Sequence, residues 1–191
     1  DALGMPTQSM SPARIRRCYG TITGLRDAVA EQPIAPSVPA GTVTDDTEQA
    51  LILAGLLVDG GGRIDPHQFA DALLRWEDDM RARGSLDLLG PSTKLALERV
   101  RARADPHCTG RQGTTNGAAM RVAPVGIAFS LCADGDALAR AVQASCLVTH
   151  DTRQGFEAAG LLAAAVSAAI DGVDTAGALE AALDFVAAHP E

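Results

Sequence analysis

Two adjacent carboxylates and a hydroxyl make up the stretch of this 191-residue chain that is best suited to chemistry. Thr44, Asp45 and Asp46 stand where an irregular segment gives way to a helical pattern. Successive residues point about 100° apart inside a helix. The first turn is less constrained, so both carboxylates can reach one cation or a pair of cations there. Hard oxygen ligands from Asp and Thr suit Mg²⁺, so the stretch indicates a magnesium site.

A purely structural interpretation of the same residues stays open. Acidic side chains in a first turn offset the helix dipole and cap backbone amides. Asp45 followed by Glu48 is typical of a capping box, with Thr44 just outside a helix predicted over Asp46–Val58. Apolar residues then recur at helical spacing and predict a buried stripe of Leu51, Leu53, Ala54, Leu57 and Val58.

The composition favours a globular, all-helical protein. Hydrophobic residues make up 47% of the chain but aromatic residues only 3%, and abundant small side chains let helices approach closely. The formal net charge is -8, which argues against nucleic-acid binding because phosphate contacts require clustered Lys and Arg. The charge does not exclude a nucleotide that is held by backbone amides or by a metal.

The cysteines and the hydropathy pattern indicate a cytoplasmic protein without a membrane segment. The chain has four cysteines and no CxxC pair, which predicts free thiols in a reducing compartment. His107 and Cys108 are adjacent in a predicted loop, but no second ligand pair accompanies them, so no zinc site is predicted. The longest run of low polarity, Ala158–Ile170, is too short to span a bilayer and predicts a buried helix.

Local start signals predict a succession of helices in one domain, residues 1–191. Ser11-Pro12 begins a short helix, and Asp65-Pro66 begins a longer one that Gly84 closes. Further helices are predicted from Gly90-Pro91 onward and over Asp134–Asp151, Arg153–Asp171 and Thr175–His189. No alternating apolar pattern is longer than four residues, and no Walker, GxGxxG, GxSxG or HExxH motif occurs. The prediction is a compact all-α bundle of about seven helices.

The segment Asn116–Gly126 has an unusual composition for a helix. Pro124 removes an internal hydrogen-bond donor and should kink the chain. Gly117 and the two alanines that follow it permit close approach of the backbone to a neighbour. That neighbour is either a ligand or another helix, and the composition serves both equally well.

Four motifs in register resemble the ADP-ribosylglycohydrolase family. They are Asp1–Pro6, Gly41-x-x-Thr44-Asp45-Asp46-Thr47, Thr115-Asn116-Gly117-Ala118-Ala119-Met120-Arg121-x-Ala123-Pro124-x-Gly126 and Thr149-His150. Their order and spacing agree with the family across nearly the whole chain. The resemblance implies an all-α domain of that type with a binuclear magnesium centre in a cleft, Mn²⁺ being the alternative metal.

The resemblance also implies roles for particular residues. Thr44, Asp45 and Asp46 would be metal ligands, and Asp45 or Asp46 would accept a proton from the attacking water. The loop from Asn116 to Arg121 would wrap the ribose and diphosphate with its backbone amides. The residues expected to contact substrate are Gln8, Asn116, Gly117, Ala118, Ala119, Met120 and His150. A satisfied core histidine is the alternative role for His150.

Two departures from the family bear on these expectations. Gln8 stands where the family commonly has a Glu, and Gln cannot take a proton at neutral pH. The remaining metal ligands of the family lie in a Gly-x-Asp-x-Asp-Thr motif near its C-terminus, which this sequence lacks; Asp171–Thr175 is a superficial echo that comes too early in the family order. We therefore expect a chain that is incomplete at both ends and carries half of a binuclear site.

The function implied is magnesium-dependent hydrolysis of the ribosyl bond in ADP-ribosylated protein side chains or a related ADP-ribose conjugate. The partner would be an ADP-ribosylated protein or an ADP-ribose-type small molecule. A catalytically impaired receptor for ADP-ribose or a nucleotide, with the same fold, is the alternative. A helical interaction scaffold, suggested by the Ala-rich C-terminal helices, is a third interpretation.

Overall fold

The computed structural model describes residues 1–83 and 89–190, and every regular element in those ranges is helical. A 3-10 helix at Met5–Thr7 precedes nine α-helices: α1 Pro12–Tyr19, α2 Asp45–Asp59, α3 Pro66–Ala82, α4 Pro91–Arg101, α5 Gly117–Arg121, α6 Ala123–Ala128, α7 Gly135–His150, α8 Arg153–Ile170 and α9 Thr175–Ala188. The all-α prediction is confirmed, with nine helices here where about seven were predicted. None of these helices is both long and apolar enough to cross a membrane.

Most helices begin where a short polar side chain satisfies a free backbone amide. Ser11, Asp65, Asp134, Thr152 and Asp174 each accept a hydrogen bond from the backbone N–H three residues later. Such a cap is typically worth about 1 kcal/mol. These starts depend on neighbours in sequence, so they are readable from the sequence. The predicted stop at Gly84 lies outside the described residues.

The capping box predicted for α2 is wrong. Thr44 is the N-cap residue and makes no side-chain cap, and the helix begins at Asp45, one residue earlier than predicted. Glu48 does not reach back to the helix start. Its carboxylate accepts a hydrogen bond of 2.6 Å from Trp76 Nε1 and pairs with Arg83 at 2.9 Å. Trp76 in α3 and Arg83 directly after it therefore bind the Glu48 carboxylate, which is no longer available to cap α2.

The stripe predicted for α2 is buried only in part. Leu53 and Leu57 lie in the core, as predicted, but Leu51 is 67% exposed and Val58 is 79% exposed. Both exposed side chains line a surface groove together with Ala54. The helix ends, as predicted, at Gly60, whose N–H donates to Leu56 O at 2.8 Å.

Helix α8 is the centre of the bundle and packs against α5, α6, α7 and α9. Its buried face is made of small residues, including Ala159, Ala163 and Ala164. At the crossing with α6, a methyl group built on Gly126 would lie 2.3 Å from Ala163 O, so only glycine fits. Small side chains thus allow the close helix approach expected from the composition.

The segment after Thr115 forms two short helices rather than a loop. The predicted loop from Asn116 to Arg121 is wrong, because α5 begins at Gly117. Val122 separates α5 from α6, and Pro124 lies in the first turn of α6. A backbone N–H in the first turn has no partner within the helix, so the missing N–H of proline has no cost there. The predicted kink is therefore present as an interruption between two helices.

An irregular N-terminal segment brings the first residue of the chain to the start of α2. Tyr19 links its parts: the hydroxyl donates to Pro6 O at 3.0 Å and accepts from Val29 N at 2.9 Å. A small second core of Met5, Ala28 and Ala35 lies beneath it. The segment thus places Asp1 against Thr44 and Thr47, more than forty positions later in the chain.

Candidate functional site

Asp1 joins the predicted residues at the start of α2. Its Oδ2 accepts hydrogen bonds from Thr44 N at 2.8 Å and from Thr47 Oγ1 at 2.7 Å. Its Oδ1 lies 2.9 Å from Thr44 Oγ1, and Asp46 Oδ2 lies 2.9 Å from the same hydroxyl. Asp1, Thr44, Asp46 and Thr47 are called the acidic corner below.

The acidic corner contains more acceptors than the hydroxyl of Thr44 has protons. That hydroxyl carries one hydrogen and can donate it to Asp1 or to Asp46, but not to both. The other carboxylate then faces a lone pair of the hydroxyl at 2.9 Å. A shared proton or a cation would relieve this repulsion. The donor set is therefore suited to a positive charge at this point.

The two adjacent acids of the motif have different environments. Asp46 is partly exposed and lines the groove, whereas Asp45 is buried. Burial, followed by the nearby charge of Asp46, raises the pKa of Asp45 to about 6, and hydrogen bonds that include the backbone of Gly90 partly oppose the rise. Asp46 is thus the acid that lines the groove, whereas Asp45 is enclosed by the protein.

A groove of about 730 Å³ begins at the acidic corner and runs between α2 and α6. Its polar end is formed by Asp1, Asp46 and Thr47. Its walls are apolar: Ala50, Leu51, Ala54, Leu57, Val58, Met120, Pro124, Ile127 and Ala128. Its volume falls in the range of small-molecule sites, and its one polar end would fix the orientation of a ligand.

Arg121 ties α5 to its neighbours from inside the core. Its Nη1 donates to Gln49 Oε1 at 2.8 Å, and its Nη2 donates to Ser145 O at 3.0 Å and to Thr149 Oγ1 at 2.5 Å. The guanidinium carbon lies 5.0 Å from the centre of the Phe69 ring. Burial lowers the pKa of Arg121 to about 10, so the side chain stays charged at neutral pH.

His150 is fully buried and bonded at both ring nitrogens. Nδ1 lies 2.8 Å from Thr149 Oγ1, and Nε2 lies 2.9 Å from Thr115 Oγ1. Because Thr149 Oγ1 accepts from Arg121, its own proton is available to Nδ1, which leaves the ring proton on Nε2. Burial, and then the charge of Arg121, lowers the pKa of His150 to about 3, so the ring is neutral.

Glycines allow three segments to close around the His150 ring and its backbone. A methyl group built on Gly117 would lie 2.5 Å from His150 Cε1, and one on Gly155 would lie 2.3 Å from His150 O. One on Gly113 would lie 2.0 Å from Thr149 O. The glycine of the TNGAAMR motif therefore serves close packing of α5 against α7.

The structure brings together some of the predicted site residues and separates others. Thr44 and Asp46 meet in the acidic corner, and Met120 lines the same groove. The other predicted substrate contacts lie off the groove: Gln8, Asn116, Gly117, Ala118, Ala119 and His150. Gln8 is exposed, and its backbone oxygen accepts a hydrogen bond of 3.0 Å from Gln32 Nε2.

Asp1 and Thr47 belong to the acidic corner, but the sequence analysis did not name them as site residues, and Asp1 is the more remote of the two. It stands in the first of the four motifs, but a single carboxylate 43 positions from Thr44 has no spacing signal of its own. Its membership of that motif was the available clue.

Comparison with known proteins agrees with this architecture. The family model described as ADP-ribosylglycohydrolase matches residues 1–191. An Escherichia coli protein called YegU, itself described as uncharacterized, is 32% identical over 191 residues, which is 100% of this chain and 56% of that protein. An uncharacterized protein of Archaeoglobus fulgidus is 33% identical over 167 residues, covering 87% of this chain and 51% of that protein. The chain spans about half the length of these relatives, and it belongs to the ADP-ribosylglycohydrolase family.

Proposed function

We propose that the protein is a magnesium-dependent hydrolase that cleaves the ribosyl bond of an ADP-ribose conjugate, with ADP-ribosylated side chains as the first substrates to test. The acidic corner carries the proposal, because two carboxylates share one hydroxyl at 2.9 Å at the polar end of an apolar groove. Membership of the ADP-ribosylglycohydrolase family supports the reaction class.

The donor set fits a small, hard divalent cation. Asp1, Thr44 and Asp46 offer carboxylate and hydroxyl oxygens, which are the ligands that Mg²⁺ and Mn²⁺ prefer over Cys and His. The acidic corner is partly open, so water can complete the coordination that Mg²⁺ retains. Asp45, which is buried and interacts with the charge of Asp46, would add further negative charge. Two ions are expected by analogy with the family, and Asp1, Thr44 and Asp46 would hold one of them.

The groove would hold the nucleotide part of the substrate beside the corner. Leu51, Val58 and Ile127 are exposed apolar side chains in its walls, and they offer a surface on which a flat base can pack. The ribose then lies at the polar end. Its hydroxyls can be oriented there by Thr47 and by the carboxylates of Asp1 and Asp46.

Breaking the ribosyl bond develops positive charge at the anomeric carbon, as in glycoside hydrolysis generally. When bound, the divalent cation supplies a positive charge that orients sugar hydroxyls and makes a nearby water more acidic. Asp46 faces the groove and would accept the proton of the attacking water. Such general-base help is typically worth about 10²–10⁴ in rate.

The buried network positions the opposite wall. Arg121, Thr149 and His150 link α5 to α2 and α7, and α5 carries Met120 into the groove. His150 reaches a ligand directly only if its bonds to Thr149 and Thr115 open. Its proposed role is therefore to fix the geometry of α5.

A substrate panel with and without metal tests the proposal. Release of ADP-ribose from arginine-, serine- and nucleotide-linked conjugates should require Mg²⁺ or Mn²⁺ and stop in EDTA. Asp46→Asn should lower the metal-dependent rate by about 10² or more. Asp59→Asn, at the exposed far end of the same helix, is the matched control and should keep the wild-type rate.

Two results would argue against the proposal. Equal turnover in EDTA and in Mg²⁺ would show that the reaction does not need a metal. Full turnover by Asp46→Asn would show that the acidic corner does not take part in it. ADP-ribose binding measured by calorimetry, with no product from any conjugate at high Mg²⁺, would favour the receptor instead.

A further inference from the structure

A second group of metal-ligating side chains lies outside the groove. His67 is in the first turn of α3, and Asp105 and His107 are in the loop that follows α4. One ligand atom from each residue can be chosen so that all three lie within 4.8 Å of one another. Within residues 1–83 and 89–190, no other three His, Cys, Asp or Glu residues meet that criterion.

The sequence analysis predicted no zinc site at His107 because it found no second ligand pair nearby. The fold supplies the missing partner from a residue forty positions earlier. The rings of His67 and His107 have their centres 5.6 Å apart and are inclined at 67°. Cys108, the neighbour that the sequence pointed to, is not part of the group.

We propose that His67, Asp105 and His107 form a surface site for a transition-metal dication, with Zn²⁺ as the reference ion. Two imidazoles and one carboxylate are typical ligands of Zn²⁺, Ni²⁺ and Cu²⁺, whereas Mg²⁺ prefers oxygen ligands alone. The site is therefore chemically distinct from the acidic corner.

The geometry requires only small side-chain movements. Ligand atoms in a tetrahedral zinc site with bonds near 2.0–2.1 Å lie about 3.3 Å apart, so separations of up to 4.8 Å must shrink by about 1.5 Å at most. All three side chains are exposed, so rotation about their side-chain bonds meets little resistance. The fourth position would be left to water.

The backbone around the group is already fixed. Asp105 Oδ1 accepts from His107 N at 3.0 Å, and Asp105 O accepts from Cys108 N at 2.9 Å. Pro106, between the two ligands, is buried, and Thr109 Oγ1 anchors the turn by donating to Val148 O at 2.7 Å. The turn thus presents both ligand side chains outward while its centre is held in the core.

The backbone on the other side of the group is fixed by the start of α3, which contains His67. Asp65 caps α3 by accepting from Gln68 N at 2.9 Å, and Pro66 occupies the first turn. An ion bound at this site would connect the start of α3 to the loop between α4 and α5. That loop continues to Thr115, whose hydroxyl is bonded to His150, so the ion would restrict the motion of the chain that leads to this hydrogen bond.

Nearby charges set the expected strength of binding. A cleft of about 520 Å³ beside the group is lined by Asp71, Arg101 and Arg103. Arg101 is engaged by Glu77 at 2.7 Å and by Asp78 at 2.6 Å, which offsets its charge. Asp71 adds negative charge that opposes Arg103. The surroundings neither exclude a cation nor add a strong attraction, so the three ligands must provide the affinity.

Titration of untagged, EDTA-treated protein with Zn²⁺ in excess Mg²⁺ tests the site. The excess Mg²⁺ keeps the acidic corner occupied. Calorimetry should show one equivalent of Zn²⁺ bound, and His67→Gln, Asp105→Asn and His107→Gln should each weaken binding at least about tenfold. His189→Gln, a histidine outside the group, and Cys108→Ser should bind as wild type does.

The proposal fails if the wild type binds no Zn²⁺, or if the three ligand variants bind it as tightly as the wild type. A loss confined to Cys108→Ser would also overturn it, because the ligands would then be different. Circular dichroism in EDTA should show the same fold for every variant, since all the altered ligands are exposed. Binding of Co²⁺ with a tetrahedral absorption spectrum, lost in His67→Gln, is a second readout that does not depend on activity.

Discussion

His150 is expected to make a destabilising contribution to this protein as the pH falls. The imidazole is fully buried between two threonine hydroxyls, and burial followed by the charge of Arg121 lowers its pKa from 6.5 to about 3. The unfolded chain therefore takes up a proton at this residue below about pH 6.5, while the folded chain resists protonation down to about pH 3. The contribution of His150 to the free energy of unfolding must therefore fall as the pH falls through this window.

The size of the effect follows from the two pKa values. Each pH unit in the window costs about 1.4 kcal/mol, because one additional proton is bound only in the unfolded state. From about pH 7.5 to about pH 5, His150 alone should lower the free energy of unfolding by about 2 kcal/mol. Asp45 acts in the opposite direction: because its pKa is raised to about 6, its protonation as the pH falls favours the folded state.

Urea unfolding of wild type and His150→Asn across this range isolates the histidine. The variant should be less stable at pH 7.5 but should lose about 2 kcal/mol less on acidification, since contributions common to both chains cancel. Val148→Ala is the matched control, because it removes a buried apolar side chain from the same helix and keeps the titrating ring. Its stability should fall in parallel with the wild type. Equal pH dependence in wild type and His150→Asn would refute the neutral, buried assignment.

Two further substitutions test other parts of the structure. Gly117→Ala should lower stability by about 1–3 kcal/mol in thermal or urea unfolding, because its methyl group would overlap a ring that cannot move; an unchanged melting temperature would contradict that packing. Glu48→Gln should cost about 1–3 kcal/mol at neutral pH, because its carboxylate accepts from Trp76 and pairs with Arg83. Arg83, followed by Trp76, lowers the pKa of Glu48, so the difference between wild type and variant should shrink as the pH falls below about 4.5, and a difference that persists in acid would count against the ion pair.

The helices were predictable because their signals are local. The starts at Ser11, Asp65 and Asp134 depend on hydrogen bonds that span three residues, and the glycines after α2 end that helix as expected. Pro124 likewise predicted the interruption between α5 and α6. In each case the start or end of the helix depends on residues a few positions away, so it can be predicted from the sequence.

The failures share a different cause. Glu48 does not form the predicted capping box because it binds Trp76 and Arg83, which are 28 and 35 residues away in the sequence. Leu51 and Val58 fit the helical stripe by spacing, but they line a groove rather than the core. Periodicity identifies an apolar face and cannot say whether protein or ligand covers it.

The site itself was only half predictable. Thr44 and Asp46 are close in sequence and were identified, whereas Asp1 reaches them through an irregular segment that has no periodic signal. His67 and His107 are equally remote and meet only because α3 begins beside the loop after α4. Long-range approaches of this kind are properties of the packed fold.

Anomalous diffraction from crystals soaked in Mn²⁺ is the most direct test of a metal site at the start of α2. We expect an anomalous peak at coordination distance from Thr44 Oγ1 and from carboxylate oxygens of Asp1 and Asp46, and we expect its loss in Asp46→Asn. An acidic corner that stays empty in saturating Mn²⁺, with Thr44 Oγ1 still 2.9 Å from both carboxylates, would contradict the proposed metal-dependent hydrolase.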